Sequence, residues 1–105
     1  MVKISECEEQ IMIVIWTCDI DPCMKSIRVE ANSRFGHEWA PQTVSTFLSR
    51  LVKKGFLTSE KKGLYTYYTP AVSKEQYVKE KLQDLAEMYF GEDASVLIDY
   101  IGNTR

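Results

Sequence analysis

The residues of this sequence that could bind a charged partner are concentrated between Trp39 and Ser59. Arg50, Lys53 and Lys54 lie within five residues of one another there, and the stretch contains no Asp or Glu. The chain has 105 residues and a formal charge of −2, yet residues 41–63 carry a net charge of +4 while the parts on either side carry −3 each. Cations kept apart from carboxylates favour binding to phosphate groups. The distribution therefore predicts a polyanion-binding face on an otherwise acidic protein.

The side chains around these cations are of the types that contact DNA bases. At 100° per residue in a helix, the apolar residues fall on one arc, which consists of Val44, Phe47, Leu48, Leu51 and Val52. The opposite arc consists of Gln42, Thr46, Ser49 and Lys53, flanked by Thr43, Ser45 and Arg50. A helix in a major groove needs hydroxyl and amide groups for base edges, cations for phosphates, and no carboxylate. The alternative, an ordinary amphipathic surface helix, typically mixes Glu with Lys.

Two further helices are predicted before this one. A capping box at Ser5 and Glu8 begins the first, which should run to about Cys18. Asp21 should cap the second, with Pro22 at its first helical position. The second helix should end at Gly36. Its inward side chains are predicted to be Met24, Ile27, Ala31 and Phe35.

A β-hairpin is predicted after the cationic helix. The segment His37–Trp39 should form a short strand, and the third helix should run from Pro41 to Lys54. Residues 56–60 and residues 64–69 are then predicted to form two strands, which a turn at Lys61, Lys62 and Gly63 joins. The order helix, helix, short strand, helix, hairpin is that of a winged helix-turn-helix, with Lys61 and Lys62 on the wing. The sequence thus predicts a mainly α fold with a small β-hairpin.

Two helical segments after the hairpin are predicted to form a homodimer. A capping box at Ser73 and Gln76 begins a long helix that ends near Phe90, and Asp93 can cap a short one that reaches about Ile101. Residues 1–71 are therefore interpreted as the DNA-binding domain and residues 72–105 as a helical dimerisation segment. The two helical segments of residues 72–105 have more apolar side chains than a small monomer can cover. The dimerisation residues are predicted to be Tyr77, Leu82, Leu85, Met88, Tyr89, Val96, Leu97, Ile98, Tyr100 and Ile101.

Other classes of protein are less compatible with the sequence. The first ten residues are acidic and the apolar run at residues 11–16 is short, so neither a signal peptide nor a membrane span is expected and the protein should be cytoplasmic. Cys7, Cys18 and Cys23 form no CxxC pair and are expected to be reduced, mostly buried thiols. No cofactor, metal site or catalytic constellation is predicted. A winged-helix module that binds protein, without sequence-specific DNA binding, stays as the alternative function.

The segment TVSTFLSRLVKKGFLTSEKKGLYTYYTP resembles the hallmark of the penicillinase-repressor family. That family includes repressors of β-lactamase, methicillin-resistance and copper-transport operons, and it typically has TVxTxLxRLxxKG followed by a strand, a basic Gly turn and Tyr-x-Pro. Glu8, Met12 and Trp16 match its first helix. The resemblance spans roughly residues 4 to 101. It implies a homodimeric bacterial repressor that binds pseudo-palindromic double-stranded operator DNA.

The resemblance also implies roles for individual residues. By position, Thr43, Thr46 and Arg50 match the recognition-helix residues at bases and phosphates. The cations that match contacts to the DNA backbone are Lys53, Lys54, Lys61 and Lys62.

The sequence departs from the family pattern at several positions. Ala40 stands where an N-cap such as Ser is frequent, and Ser45 and Leu64 stand where basic residues are frequent. The Cys-x-Cys pairs of the copper-responsive members are absent. In the antibiotic-responsive members a membrane-linked sensor protease cuts an Asn-Phe bond, and the matching dipeptide here is Asp99-Tyr100. The resemblance therefore implies either a protease adapted to Asp or another means of induction.

Overall fold

The computed structural model describes residues 2–91, 95, 99, 101 and 102. Its helices and strands, in chain order, are α1 (Glu6–Trp16), α2 (Met24–Phe35), α3 (Pro41–Lys53), β1 (Leu57–Lys62), β2 (Tyr65–Pro70) and α4 (Lys74–Phe90). The mainly α fold with one hairpin is therefore confirmed. The chain divides into two compact units, the first spanning Val2–Ser73 and the second beginning at Lys74.

Helix α1 begins with the predicted capping box. The N–H of Glu8 donates to Ser5 Oγ at 3.1 Å, and the N–H of Ser5 donates to Glu8 Oε1 at 2.7 Å. The helix ends at Trp16, two residues earlier than predicted, because Thr17 takes the C-cap position and its Oγ1 donates to the carbonyl of Val14 at 2.8 Å. The indole Nε1 of Trp16 donates to the carbonyl of Val72 at 2.9 Å. This bond ties α1 to the end of the first unit.

The predicted start of α2 is wrong. The helix begins at Met24 with Cys23 as its N-cap, and Cys23 forms no side-chain cap hydrogen bond. The carboxylate of Asp21 instead accepts a hydrogen bond from Thr69 Oγ1 at 2.6 Å, so a partner distant in sequence takes the group that would have capped the helix. The predicted end is confirmed, since Gly36 adopts a left-handed conformation with φ 69°. That conformation is one that Gly adopts without steric cost.

The segment between α2 and α3 is not the predicted strand. The Asn32 side chain occupies both backbone groups of Trp39: Asn32 Nδ2 donates to the Trp39 carbonyl at 3.1 Å, and the Trp39 N–H donates to Asn32 Oδ1 at 3.0 Å. The His37 ring stacks on Trp39 with 3.9 Å between ring centroids, and its Nε2 lies 2.6 Å from Gln10 Oε1 on α1. The Asn32 amide thus satisfies the backbone hydrogen bonds of Trp39 that a strand would have formed, and it holds the segment that leads into α3.

The hairpin is present, but its turn is tighter than predicted. Lys62 pairs with Tyr65, so only Gly63 and Leu64 form the turn, and Lys61 and Lys62 belong to β1. Gly63 has φ 65° and Leu64 does not have a positive φ, the pattern of a type II′ turn. Pro70 also belongs to β2, at its end, where a residue without an N–H is tolerated.

The middle of β2 is joined to the segment before α2. Cys23 forms an isolated β-bridge with Tyr67, and the N–H of Tyr68 donates to the carbonyl of Pro22 at 3.0 Å. Residues 22 and 23 therefore provide the third strand position that the sequence analysis placed at residues 37–39.

The core of the first unit lies among α1, α2, α3 and the start of β1. Its buried apolar side chains are Ile11, Met12, Val14, Ile15, Ile27, Ala31, Val44, Leu48, Leu51, Phe56 and Leu57. Two residues predicted to face inward on α3 differ. Val52 is 36% exposed, and Phe47 is half-buried, with 5.1 Å between the centroids of its ring and the Trp39 ring. Both lie at the margins of the apolar arc, where a few tens of degrees separate core from surface.

Helix α4 is the longest described element of the second unit. Ser95, Asp99, Ile101 and Gly102 are helical. The predicted cap at Asp93 and the predicted dimerisation residues Val96, Leu97, Ile98 and Tyr100 lie outside the described residues. In the part of the chain that the structure describes, no helix combines the length and the apolar character required to span a membrane.

Candidate nucleic-acid interface

The outward face of α3 is a shallow depression lined only by polar and cationic side chains. Its volume is about 270 Å³, and the lining residues are Gln42, Ser45, Thr46, Ser49, Arg50 and Lys53. The structure thus brings together six residues that the sequence analysis singled out, and none of the six is acidic. Thr43 is half-buried and does not line this depression.

Hydrogen-bonding groups on this face are available to a ligand. Thr46 Oγ1 donates to the carbonyl of Gln42 at 3.0 Å, one turn earlier, which leaves the hydroxyl oxygen free to accept. Arg50 and Lys53 lie in the last turn of the helix, where cations interact favourably with the carbonyl end of the helix dipole. The face therefore combines donors and acceptors at its centre with positive charge at one end.

A second depression, of about 330 Å³, connects α3 with the hairpin. The lining residues are Cys23, Met24, Lys25, Ser45, Leu64, Tyr65, Thr66 and Tyr68. Ser45 lines both depressions, so the two adjoin at this residue. Sequence reasoning missed Lys25, Tyr65 and Thr66; the position of Lys25 in the first turn of α2 was a usable signal. Burial raises the pKa of Tyr68.

The hairpin lysines lie on the strand and not at its turn. Both are exposed, and Lys62 Nζ lies 5.9 Å from the centroid of the Tyr67 ring, within the range of a cation–π contact. Leu64, at the turn, is 92% exposed. The outermost side chain of the hairpin is therefore apolar, with the two cations behind it.

Lys54 has a different environment from the other predicted DNA contacts. Its Nζ lies 2.7 Å from Glu8 Oε1, and the Glu8 side chain is almost fully buried. Burial alone would raise the pKa of Glu8, but hydrogen bonds from Lys54 and Ser5 more than offset it and hold that pKa below its usual value. The charge of Lys54 is thus neutralised within the fold, and we leave this residue out of the candidate interface.

The three thiols are free, but their burial differs from the prediction. Cys18 is exposed, and Cys7 and Cys23 are half-buried. Burial, followed by the charges of Glu30 and Asp19, raises the pKa of Cys18, whereas hydrogen bonds with Ser26 lower that of Cys23. Among the described residues, no group of three or more His, Cys, Asp or Glu side chains could hold a metal ion.

Apolar side chains of the second unit are exposed. Met88 is 70% exposed, Tyr89 72% and Leu85 38%, while Tyr77 and Leu82 are half-buried. Ile101 is 58% exposed, and Phe90, which the sequence analysis did not single out, is 37% exposed.

Three helices followed by a two-stranded hairpin, with a cationic third helix, define a winged helix-turn-helix protein. A family model described as Penicillinase repressor matches residues 4–103. The chain belongs to the penicillinase repressor family, which is a class of repressors and not of enzymes. The resemblance found in the sequence is thereby confirmed.

Relatives of this chain include a repressor and a regulatory protein of antibiotic resistance. It is 30% identical over 107 residues to a penicillinase repressor of Bacillus licheniformis, over 98% of this chain and 79% of the relative. It is 23% identical over 100 residues to the methicillin resistance regulatory protein MecI of Staphylococcus aureus (strain N315), over 94% of this chain and 79% of that protein.

Solved structures of a relative resemble most of this chain. The DNA-binding domain of the repressor BlaI is similar with a TM-score of 0.62 and 33% identity, over 71% of this chain and 88% of that one. The monomeric form of Bacillus licheniformis BlaI, solved in complex with the blaP half-operator, is similar with a TM-score of 0.59 and 33% identity. That match covers 72% of this chain and 89% of the BlaI chain.

Proposed function

We propose that this protein is a bacterial transcriptional repressor that binds operator DNA as a homodimer in the cytoplasm. The observation that carries the proposal is the outward face of α3, where six polar or cationic side chains line one depression without a carboxylate. Each carboxylate on such a face would meet phosphate and oppose binding, so their absence matches a DNA ligand. The related BlaI, whose monomeric form was solved in complex with the blaP half-operator, agrees with this ligand class.

In this proposal α3 is the recognition helix and lies in the major groove. Gln42, Thr46 and Ser49 would contact base edges, since amides and hydroxyls can both donate and accept there. Arg50 and Lys53 would contact phosphates, which sets the register of the helix without reading sequence. Thr43 and Ser45 flank this row and would contact the sugar–phosphate backbone.

The hairpin is proposed to act as a wing beside the recognition helix. Lys61 and Lys62 are exposed on β1, so their ammonium groups could reach phosphates next to the groove. The depression between α2, α3 and the hairpin would follow the backbone of one strand, with Lys25 supplying a further cation. The wing would then add affinity that depends on salt but little on sequence.

The dimer is proposed to form through the second unit. Met88 and Tyr89 expose most of their apolar surface, and a second copy of the chain could cover it by two-fold symmetry. A two-fold dimer places two recognition helices on half-sites about one helical turn apart, or a multiple of it. A membrane-linked sensor protease that acts near Asp99 and Tyr100 is a proposed further partner. Its cut would weaken the dimer and lower operator affinity, because two linked half-site contacts would become separate ones.

A protein-interaction module is the alternative. It would expose mixed charge on α3 and would have little affinity for a random duplex. The carboxylate-free face argues against it.

Salt titrations distinguish the two functions. A duplex selected by the protein from a random library and a scrambled duplex of equal composition would be titrated at several salt concentrations. Arg50→Ala should weaken binding to both and lower the salt slope by about one unit, whereas Thr46→Ala should reduce only the preference for the selected duplex. Thr46→Ser, which keeps the hydroxyl, and Lys74→Ala, an exposed cation on α4, are the controls. Equal losses on both duplexes for Thr46→Ala would argue against base reading, and negligible binding of the unaltered protein would favour the interaction module.

A further inference from the structure

Two adjacent lysines at the end of α3 have different surroundings. Lys53 lines the depression on the outward face of α3, whereas Lys54 Nζ lies 2.7 Å from Glu8 Oε1 on α1. Lys54 is the C-cap residue and keeps a helical conformation, with φ −79° and ψ −3°. Its side chain therefore leaves the helix about 100° further round than that of Lys53. The two neighbours point to different partners, although they are the same residue type.

Glu8 is the buried partner in this contact. The residue is 1% exposed, and its Oε1 accepts hydrogen bonds from both Lys54 Nζ and the N–H of Ser5, each at 2.7 Å. Its Oε2 is buried and has no hydrogen-bond partner within the described part of the chain. A carboxylate in such a position is strongly unfavourable unless a cation pairs with it. Lys54 is thus the group that allows Glu8 to stay ionised between α1 and α3.

We propose that Glu8 and Lys54 form a clamp between the start of α1 and the end of α3 that sets the orientation of α3 for operator binding. Lys54 is then a positioning residue and not a phosphate contact. This inference rests on the function proposed above, in which α3 enters the major groove. It reassigns one of the four cations that the family resemblance places at the DNA backbone.

Loss of the clamp should affect specific binding more than general affinity for DNA. Without Lys54, the charge of Glu8 would be buried and unpaired, so the end of α3 or the start of α1 would have to shift to admit water. Hydrogen bonds to base edges weaken when the donor–acceptor distance changes by a few tenths of an ångström or when the angle departs from linear. Attraction to phosphates extends over about 10 Å and tolerates such shifts.

The test compares four variants of the full chain on two probes. The probes are a duplex selected by the unaltered protein from a random library and a scrambled duplex of equal composition. The variants are Lys53→Met, Lys54→Met, Glu8→Gln and the double variant Glu8→Gln/Lys54→Met. Lys53→Met is the matched control, because it removes the same charge one residue earlier.

The clamp predicts distinct results for the two lysines. Lys53→Met should weaken binding to both probes and lower the salt slope by about one unit. Lys54→Met should keep the slope of the unaltered protein but lose at least about tenfold in preference for the selected probe. The double variant lacks the same bond as each single variant, so its preference should stay within about threefold of that of Lys54→Met, because the two substitutions remove one interaction and their effects do not add.

Glu8→Gln separates the two assignments of Lys54 by sign. Gln keeps an acceptor for the N–H of Ser5 but removes the charge. If Lys54 were a phosphate contact restrained by Glu8, this variant would free it, bind both probes more tightly and have a steeper salt slope. The clamp instead predicts a lower preference and an unchanged slope. If Lys54→Met does not fold, this comparison decides alone.

Each other outcome also has a defined meaning. Thermal unfolding of every variant gives the temperature below which binding is compared on folded protein. Variants of Glu8 or Lys54 that lower the unfolding midpoint while the folded protein keeps its full preference would overturn the positioning role. A lower salt slope for Lys54→Met beside a normal Lys53→Met result would overturn the clamp alone. A Lys53→Met variant that binds like the original would overturn the operator-binding role of α3, and the clamp with it.

Discussion

The N-cap of α3 offers a test in which the stability of the fold and the affinity for DNA should change in opposite directions. Ala40 occupies the N-cap with an extended conformation, φ −73° and ψ 160°, and forms no side-chain cap hydrogen bond. Its carbonyl accepts from the N–H of Val44 at 3.2 Å, and Pro41 has no N–H. The N–H groups of Gln42 and Thr43 therefore lack an acceptor within the helix. An oxygen on the side chain of residue 40 could accept from either.

Ala40→Ser should stabilise the protein by about 1 kcal/mol, the usual effect of such a cap. For a unit the size of Val2–Ser73, that free energy corresponds to a rise of about 4–8 °C in the unfolding midpoint. Ala40→Asp should stabilise by a similar amount, since a carboxylate also interacts favourably with the helix N-terminus. Ala71→Ser, an exposed position outside any helix, is the control and should change stability by less than about 0.5 kcal/mol.

The two caps should differ in their effect on DNA binding. Ala40→Asp places a negative charge beside the end of α3 that is proposed to enter the groove. Repulsion from one phosphate at about 4 Å would cost about 1 kcal/mol in water, or about fivefold in affinity. Ala40→Ser adds no charge and should bind at least as well as the unaltered protein. Circular dichroism melts and titrations with the selected duplex, both on the same preparations, measure the two effects. A stabilised Ala40→Asp variant with undiminished affinity would refute the placement of the α3 N-terminus against DNA.

Three further predictions concern the dimer, acid stability and proteolysis. Met88→Lys should convert a micromolar dimer to monomer in sedimentation velocity, because it places a charge on an apolar face where Met88 is 70% exposed. The control Asp84→Lys, at another exposed position of α4, should stay dimeric, and the same sedimentation coefficient for both variants would contradict the proposed interface. The pKa of Glu8 is lowered in the fold, so the ionised carboxylate contributes stability above the pKa of an unfolded Glu, about 4.3, and this stability is lost as pH falls through the folded pKa. The urea midpoints of the unaltered protein and of Glu8→Gln should therefore converge as the pH is lowered. A difference between the two midpoints that stays constant with pH would argue against an ionised Glu8. A protease pocket built for Asn would leave the carboxylate of Asp99 without a partner, so Asp99→Asn should raise the rate of cleavage by such a protease by about 5–150-fold. If mass spectrometry finds equal cleavage of the unaltered protein and the variant, the protease site is adapted to Asp.

Patterns local in sequence gave correct predictions. The capping box at Ser5 and Glu8 and the left-handed Gly36 depend on residues within one helical turn, and both are present in the structure. The buried arc of α3 was predicted at its centre, at Val44, Leu48 and Leu51, and failed at Val52 on its margin. Periodicity identifies the middle of an arc but not the point at which neighbouring elements stop covering it.

Two predictions that depended on distant partners, the cap at Asp21 and the strand at residues 37–39, were wrong. Asp21 has the composition of a helix cap, but Thr69 takes its carboxylate. The segment at residues 37–39 looked extended, but the Asn32 amide satisfies the backbone of Trp39 without a strand. Lys54 stands in a cationic run, and only the packing of α1 beside α3 reveals Glu8 as its partner. Each of these groups has two chemically suitable partners, and the tertiary fold decides between them.

Long-range hydrogen bonds in the first unit also determine when it can fold during synthesis. The bonds Glu8–Lys54, Trp16–Val72 and Asp21–Thr69 span 46, 56 and 48 residues. At about 5–20 residues per second, a ribosome needs roughly 3–10 s to extend the chain from residue 21 to residue 72. Throughout that interval the apolar side of α1, with Ile11, Met12 and Ile15, has been synthesised without all the elements that bury it. Although α1 is the first helix to be made, its long-range hydrogen bonds cannot form until Lys54 and Val72 have been added to the chain.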